Sequence, residues 1–317
     1  ALNLSTYTCE KIPDLPADAE RQYASAFTGP DCFYVFGGDG GTVRKDLWKY
    51  NALNEQWTAM SAKPGSGLSA AVCMQFSNGI LFAGGKTGAS GPCSREVWRY
   101  DSDNDAWTQL NDFPFEPVWR ASAAVINNTG YMLFGINDSG VYSKKMFSYN
   151  PVNDSWAQLT DFPGPGRAYA ALRSNNQQLV LFGGHETMNV YKNDTWFYSP
   201  SLMSWTQQSS LPAKARRGDM SCLAGDRLII TCGLTTGDER SKETWLLDVP
   251  LGLDKSAASE IKVYPNPVND VLYLNTHQHD GLISLLRNTK GSALFETPLR
   301  PGENSINTKS LPRGIYF

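Results

Sequence analysis

The chain repeats itself about every 49 residues, and that period constrains the fold more than any other feature. Trp48, Trp98, Phe147, Trp196 and Trp245 are 50, 49, 49 and 49 residues apart. Trp57, Trp107, Trp156 and Trp205 keep the same step, and glycine-bearing markers precede each pair: Phe36-Gly37-Gly38, Ala83-Gly84-Gly85, Phe134-Gly135-Ile136, Phe182-Gly183-Gly184 and Cys232-Gly233-Leu234. A fixed period of this length predicts one small sheet per repeat, stacked around an axis.

Each repeat reads as four strands. In the third, Arg120–Ile126 is a small apolar strand a, suited to a crowded axis, and Asn127–Gly130 is a turn rich in residues that tolerate a left-handed backbone. Tyr131–Gly135 is a short buried strand b, Lys145–Tyr149 is strand c, and Ser155–Leu159 is strand d. Glycines after strand b let backbones and rings approach closely. The recurrent Trp and Tyr supply the apolar area between sheets.

The units Asp46-Leu-Trp-Lys-Tyr-Asn51, Glu96-Val-Trp-Arg-Tyr-Asp101 and Asp194-Thr-Trp-Phe-Tyr-Ser199 resemble kelch repeats. The shared marks are an Arg opening strand a, a Gly-Gly doublet, D-x-W-x-Y-(D/N) and W-x-x-L-x-x-x-P. The resemblance covers roughly residues 9–250 in five units and implies a five-bladed kelch β-propeller. Repeat 3 departs with Gly-Ile, repeat 5 with Gly-Leu, and repeat 2 has Gly67 where the others have Arg. The fifth unit stops at Asp248 without a fourth strand. Residues Cys9–Pro16 align with Trp156–Pro163, with Cys9 in the Trp slot, so the N-terminal segment is expected to complete the last blade and close the ring.

Periodicity ends at a polar linker, 251–260. Beyond it, 261–317 alternates short apolar runs with Pro, Gly and Asn, as expected of a small antiparallel β-sandwich. Tyr264-Pro265-Asn266-Pro267 and Leu311-Pro-Arg-Gly314-Ile-Tyr316 resemble the opening and closing motifs of the C-terminal sorting domain of the type IX secretion system of Bacteroidetes. The resemblance implies export through the periplasm, docking on the outer-membrane translocon and its shuttle protein, and delivery to the cell surface or medium. Family members carry a further strand past Gly-Ile-Tyr, so this tail reads as truncated at its C-terminal end. The expected domains are 1–250, a propeller; 251–260, a linker; and 261–317, the sorting domain.

Composition removes several function classes. A formal net charge of −3 gives no electrostatic footprint for nucleic acid. No run of 18 apolar residues exists to span a bilayer. The start at Ala1 in a polar stretch reads as one without a signal peptide and is compatible with a processed N-terminus. The six cysteines form no zinc spacing; Cys73, Cys222 and Cys232 read as small core residues, and a Cys9–Cys32 bridge is one option.

With four antiparallel strands per blade, the d–a and b–c loops share one rim, and the b–c loops are the long, varied ones. Binding sites favour such loops on a rigid scaffold. Arg21, Arg120, Arg167 and Arg217 start strand a beside that rim, with Tyr23, Trp119, Tyr169 and Asp219 as neighbours and His185 and Glu186 in a b–c loop. In kelch proteins such arginines often contribute to the ligand surface, and the resemblance suggests a ligand site built from these ten residues. Guanidinium forks hold carboxylates and aromatic faces stack on sugars. The alternative is that the arginines pair with nearby acids to hold blades together.

Acids two before the strand-c aromatic (Asp46, Glu96, Asp194, Glu243) recur with Lys145 breaking the series, which argues for a structural role. Catalysis is poorly supported. Kelch-containing copper oxidases use two histidines and two tyrosines, whereas His185 is the one histidine in the repeats; His277 and His279 read as an exposed tail loop. No nucleophile, phosphate or dinucleotide motif is present, and no cofactor or metal is expected. Carboxylates at Asp39, Glu116, Glu186 and Asp219 leave glycoside chemistry as an alternative. The sequence thus points to an exported surface or secreted protein, an adhesin-like binder of glycan or protein. A carbohydrate-active enzyme and a structural surface component are the other readings.

Overall fold

The computed structural model describes residues 18–249 apart from 176, 225, 226 and 238, preceded by 6, 8 and 10–16. In the tail it describes 261–264, 270–276, 283–287, 293–298, 300 and 302–311. The chain divides into two compact units, Ala1–Val249 and Pro250–Phe317.

In the first unit, each repeat forms an antiparallel meander. Sheet 1 runs Ser25–Gly29, Cys32–Phe36, Leu47–Asn51, Gln56–Met60, and sheet 2 runs Val72–Phe76, Gly79–Ala83, Val97–Asp101, Ala106–Gln109. Sheet 3 runs Ser122–Ile126, Thr129–Leu133, Met146–Asn150, Ser155–Gln158, and sheet 4 runs Ala171–Ser174, Leu179–Phe182, Thr195–Ser199, Ser204–Gln208. Sheet 5 has three described strands, Met220–Ala224, Arg227–Thr231 and Thr244–Asp248. No α-helix occurs among the described residues, and none there is long and apolar enough to cross a membrane.

Local chemistry explains the hairpins. Asn127 and Asn128 adopt φ of 47° and 61°, a tight two-residue turn that puts Ile126 opposite Thr129, so strand b begins two residues before the expected Tyr131. The sheets stack through apolar faces. Phe36 and Leu47 pack with Phe82 and Tyr100 between sheets 1 and 2, and Met74 and Val97 with Met132 and Phe147 between 2 and 3. Leu133 and Met146 pack with Leu179 and Leu181, then Val180 and Phe182 with Leu228 and Ile230. Each buried large side chain contributes about 1.5–3 kcal/mol.

A polar series locks strand a to strand c. Arg21 forks onto Asp46 with two bonds of 2.7 Å, and Arg167 onto Asp194 at 2.8 and 3.0 Å. Arg216 reaches Glu243, and in sheet 2 Lys63 reaches Glu96 at 3.1 Å. Each acid also accepts the indole N–H two residues on, from Trp48, Trp98, Trp196 or Trp245. Burial pushes the Asp194 carboxyl up, but the Arg167 fork and the Trp196 N–H outweigh it and hold the group below the usual range. Sheet 3 dispenses with the device as a whole: Val118, Lys145 and Phe147 stand at the Arg, acid and Trp positions.

The paired residues correct three sequence alignments. Bridges between Gln22 and Asp39, Ser69 and Lys86, Trp119 and Ile136, Ala168 and His185, and a pair between Arg217 and Leu234 make those positions equivalent. The arginine series is therefore Arg21, Leu68, Val118, Arg167 and Arg216, and Arg120 and Arg217 lie two and one residues beyond it. Gly67 is not the arginine position. An added Cβ there would stand 2.4 Å from the Arg44 carbonyl, so a close approach requires the glycine. The first glycine of the doublet, at φ 62° to 65° in sheets 1, 2 and 4, becomes Phe134 at 71° and Cys232 at 60°. Those repeats thus read Phe-Gly and Cys-Gly, not Gly-Ile and Gly-Leu.

The five inner strands line one cavity of about 690 Å³. Cys73 lines it and also packs against the core of sheets 1 and 2, as a small core residue should, whereas Cys222 lines it exposed and Cys232 is exposed as well. Cys32 is a free thiol, and Cys9 lies outside the described residues. Residues 10–16 are described as irregular chain, and no described strand pairs with the outer edge of Thr244–Asp248. On the face of sheet 5 away from sheet 4, Ile229 is buried, while Met220 is 68% and Leu246 41% exposed.

In the second unit, Ile261–Tyr264, Val271–Thr276 and Gly302–Asn307 form an antiparallel sheet with Leu274 and Ile306 buried. Ile283–Arg287 pairs with Ala293–Pro298 as a separate hairpin. Tyr264 ends the first strand opposite Tyr273. Pro265, Asn266, Pro267, Gly314, Tyr316, His277 and His279 lie outside the described residues.

Candidate functional site at the mouth of the axis

Just before each inner strand, one residue takes a left-handed backbone: Tyr23, Ala70, Arg120, Tyr169 and Gly218, at φ 59°, 54°, 60°, 57° and 60°. These residues are linked from sheet to sheet. Ala70 N–H donates to the Tyr23 carbonyl, Arg120 to Ala70, Tyr169 to Arg120 and Gly218 to Tyr169, at 2.8–3.1 Å. A left-handed non-glycine costs about 1–2 kcal/mol, and such strain clusters where geometry serves binding. Here it gathers side chains from different sheets. The Tyr23 and Tyr169 rings are 5.9 Å apart although their sheets are not neighbours in the chain.

Arg120 lies among aromatic rings. Its guanidinium carbon is 3.5 Å from the centre of Trp119, 4.4 Å from Tyr169 and 5.2 Å from Tyr23. The Arg217 guanidinium carbon is 4.8 Å from the centre of Tyr169, and its Nε donates to the Tyr191 hydroxyl at 3.2 Å. His185, 4% exposed, stacks on Tyr169 and Tyr191 and meets Tyr142 edge-on. Burial, with help from Arg217 and Arg120, pushes its imidazole down to about 4, so it is neutral at pH 7. Burial lowers the Arg120 guanidinium too, and the nearby Arg217 adds to this. Burial raises the Tyr169 phenol, keeping it protonated.

No carboxylate answers these two guanidiniums: neither Arg120 nor Arg217 has an ion pair among the described residues. Several buried polar atoms here have no hydrogen-bond partner: Arg120 Nε, the Tyr169 hydroxyl, and both ring nitrogens of His185. Buried polar atoms are normally satisfied, so unmet ones converging on a mouth have the character of a binding surface.

Of the ten expected site residues, Tyr23, Trp119, Arg120, Tyr169, His185 and Arg217 meet at this mouth. Arg21 and Arg167 do not; they are spent on Asp46 and Asp194. Glu186 is ion-paired with Lys192 at 2.8 Å. Asp219 lies between sheets 4 and 5, its oxygens buried and unpartnered, and burial raises its carboxyl to about 6 against the pull of Arg173 and Arg216. Asp39 caps the Gly41 N–H, and Glu116 accepts from Asn137. Among the described residues no group of three or more His, Cys, Asp or Glu could hold a metal.

Sequence reasoning missed Tyr142 and Tyr191. Both occupy the same rung of the b–c hairpin, opposite Ile136 and His185, and that register was the signal that could have found them.

Comparison with known proteins agrees with this architecture. The solved "Structure of YjhT" superimposes with a TM-score of 0.67 at 18% identity, over 76% of this chain and 85% of that one, a likeness of fold alone. No curated protein matches the chain. Residues 262–317 match the secretion system C-terminal sorting domain, which indicates export to the cell surface or secretion and an interaction with the secretion machinery. Residues 63–251 match the Attractin/LZTR1 beta-propeller, so the chain belongs to that family of kelch-type propellers and carries a type IX sorting domain behind it.

Proposed function

We propose that this exported protein is a binding module, adhesin-like, which recognises a glycan or a protein segment at the mouth of its propeller. The supporting observation is the cluster of Tyr23, Trp119, Arg120, Tyr169, His185 and Arg217, with two acid-free guanidiniums and unmet polar atoms among aromatic rings. Aromatic faces suit sugar rings or side chains, and the polar atoms supply direction. Binding of a glycan array by the whole chain, lost on Tyr169→Ala, tests this reading. Unchanged binding in that variant would overturn it.

A second reading, a carbohydrate-active enzyme, would draw on Asp219, whose carboxyl burial raises to about 6, and would need it to reach the mouth from its buried place between sheets 4 and 5. Turnover abolished by Asp219→Asn or Glu186→Gln would establish it over simple binding.

The propeller reading we favour has five blades over 1–250, a linker at 251–260, and a sandwich-type sorting domain over 261–317 of the Bacteroidetes kind, docking on the translocon and its shuttle protein. The N-terminal strand completes the last blade. Support comes from Trp57, whose indole donates to the Pro13 carbonyl at 3.0 Å as Trp107 donates to Ser61 at 2.7 Å. Pro13 thus stands where Ser61 does, four residues past a strand-d aromatic slot, and that slot is Cys9. Leu247 is the sheet-5 counterpart of Tyr50, which pairs with Trp57, so Cys9 and Leu247 should be partners. A Leu247→Cys variant should form a bridge to Cys9 under mild oxidation, read by peptide mapping; a persistently free Cys9 would sink closure.

A further inference from the structure

We infer that the mouth selects an anionic glycan, a sugar acid whose carboxylate is held by Arg120 and Arg217. This rests on the mouth being a glycan site and adds the class of sugar. The argument is one of charge. The four strand-a locks bring a cation to a carboxylate each: Arg21 to Asp46, Lys63 to Glu96, Arg167 to Asp194 and Arg216 to Glu243. Arg120 and Arg217 depart from that pattern. Arg120 is partly buried between Trp119, Tyr169 and Tyr23, its Nε unbonded, and burial disfavours its charge. Asp219 does not compensate them, since its charge partners are Arg173 and Arg216.

The two cations share one aromatic pocket without a carboxylate, and although Arg217 donates to the Tyr191 hydroxyl, Arg120 Nε is unbonded, so a neutral sugar would leave both charges uncompensated. A carboxylate satisfies them in the planar geometry that a guanidinium fork prefers. The remaining unmet groups fit the rest of a sugar. Neutral His185 offers one donor and one acceptor, and the Tyr169 phenol offers both, which suits hydroxyls rather than a second charge. Tyr23, Tyr169 and Trp119 supply ring faces. A cationic ligand is disfavoured, because Arg120 and Arg217 already place two positive charges against these rings.

The test is an array of uronate and other sugar-acid glycans, each printed beside its carboxyl-reduced counterpart and beside sulfated neutral glycans, probed with the whole chain. Expected is binding to acid forms at least tenfold tighter than to their reduced counterparts. Arg120→Met and Arg217→Met should each lower it tenfold or more with the melting temperature held, and Arg120→Lys should recover part of it. Reduced glycans bound as tightly as the acids would overturn the inference while the glycan site stands. Preference for sulfated glycans would overturn the carboxylate specificity. An array with no binder would remove both readings, and acid binding untouched by either arginine variant would remove the assigned residues.

Discussion

The propeller uses arginine in two opposite ways a few residues apart. Between strands a and c, Arg21, Arg167 and Arg216 are almost wholly enclosed and each meets a carboxylate that a tryptophan also holds. At the mouth, Arg120 and Arg217 meet rings instead of acids. The first set is a scaffold, since each guanidinium's charge is answered by a carboxylate of its own sheet. The second leaves bonding capacity over. Repetition marks the former, because a lock needed in each blade recurs, and irregularity marks the latter. Arg120 occurs where the equivalent residues are Tyr23, Ala70, Tyr169 and Gly218.

The largest expected effect lies on the scaffold side. Arg167→Met leaves the Asp194 carboxylate, 13% exposed, without its fork, and breaking such a buried pair costs about 3–5 kcal/mol. Thermal unfolding should show a melting point lower by roughly 10 °C. Arg120→Met removes no ion pair and should leave it within about 2 °C. Equal losses in the two variants would erase the distinction between the sets.

Next in size is a contrast in pH dependence. Asp194 is held below its usual range, so its contribution is present above the unfolded carboxylate pKa and is lost as pH falls through the folded value. Asp219, raised to about 6, has the opposite sign. Its folded form binds the extra proton between roughly pH 4 and 6, so the domain loses stability as pH rises through that window. Asp219→Asn should therefore match the parent at pH 4 and exceed it at pH 7 by on the order of 2–3 kcal/mol. Denaturant titrations at the two pH values measure this, and a parent whose stability rises between pH 4 and 6 by as much as the variant's would refute it.

The contrast between lock and mouth was half legible in the sequence. The repeat period and the four-strand unit follow from side-chain periodicity and turn chemistry, which are local, and the sorting motifs are legible through their resemblance to a known family. The division of the arginines was not readable, because residues one or two positions apart look alike on a 49-residue ruler. A shift of one residue in a strand reverses the side it faces. Arg216 and Arg217 show the difficulty: adjacent, identical in type, one bound to Glu243 and the other beside Tyr169 and Tyr191. The same blindness placed the glycine doublets of repeats 3 and 5 one residue late. Tyr142 and Tyr191 escaped notice because the b–c loops differ in length, so only their pairing aligns them.

The smallest expected effect concerns that doublet. Cys232 sits at φ 60° where Gly37, Gly84 and Gly183 stand in sheets 1, 2 and 4, and unlike Phe134, which is 1% exposed and packs on Phe162, it is exposed. Its carbonyl accepts from Arg216 at 3.0 Å, a backbone bond that glycine retains. Cys232→Gly relieves a left-handed strain of about 1–2 kcal/mol and adds back some chain entropy in the unfolded state, for a net gain of about 0.5–1 kcal/mol. Phe134→Gly relieves the same strain but empties a buried ring site, so it should lose about 2 kcal/mol or more. Opposite signs from one substitution at equivalent backbone positions would separate strain that packing requires from strain that it does not. Matching losses in both variants would mean that Cys232 also makes a side-chain contribution to the lock that Arg216 forms beside it.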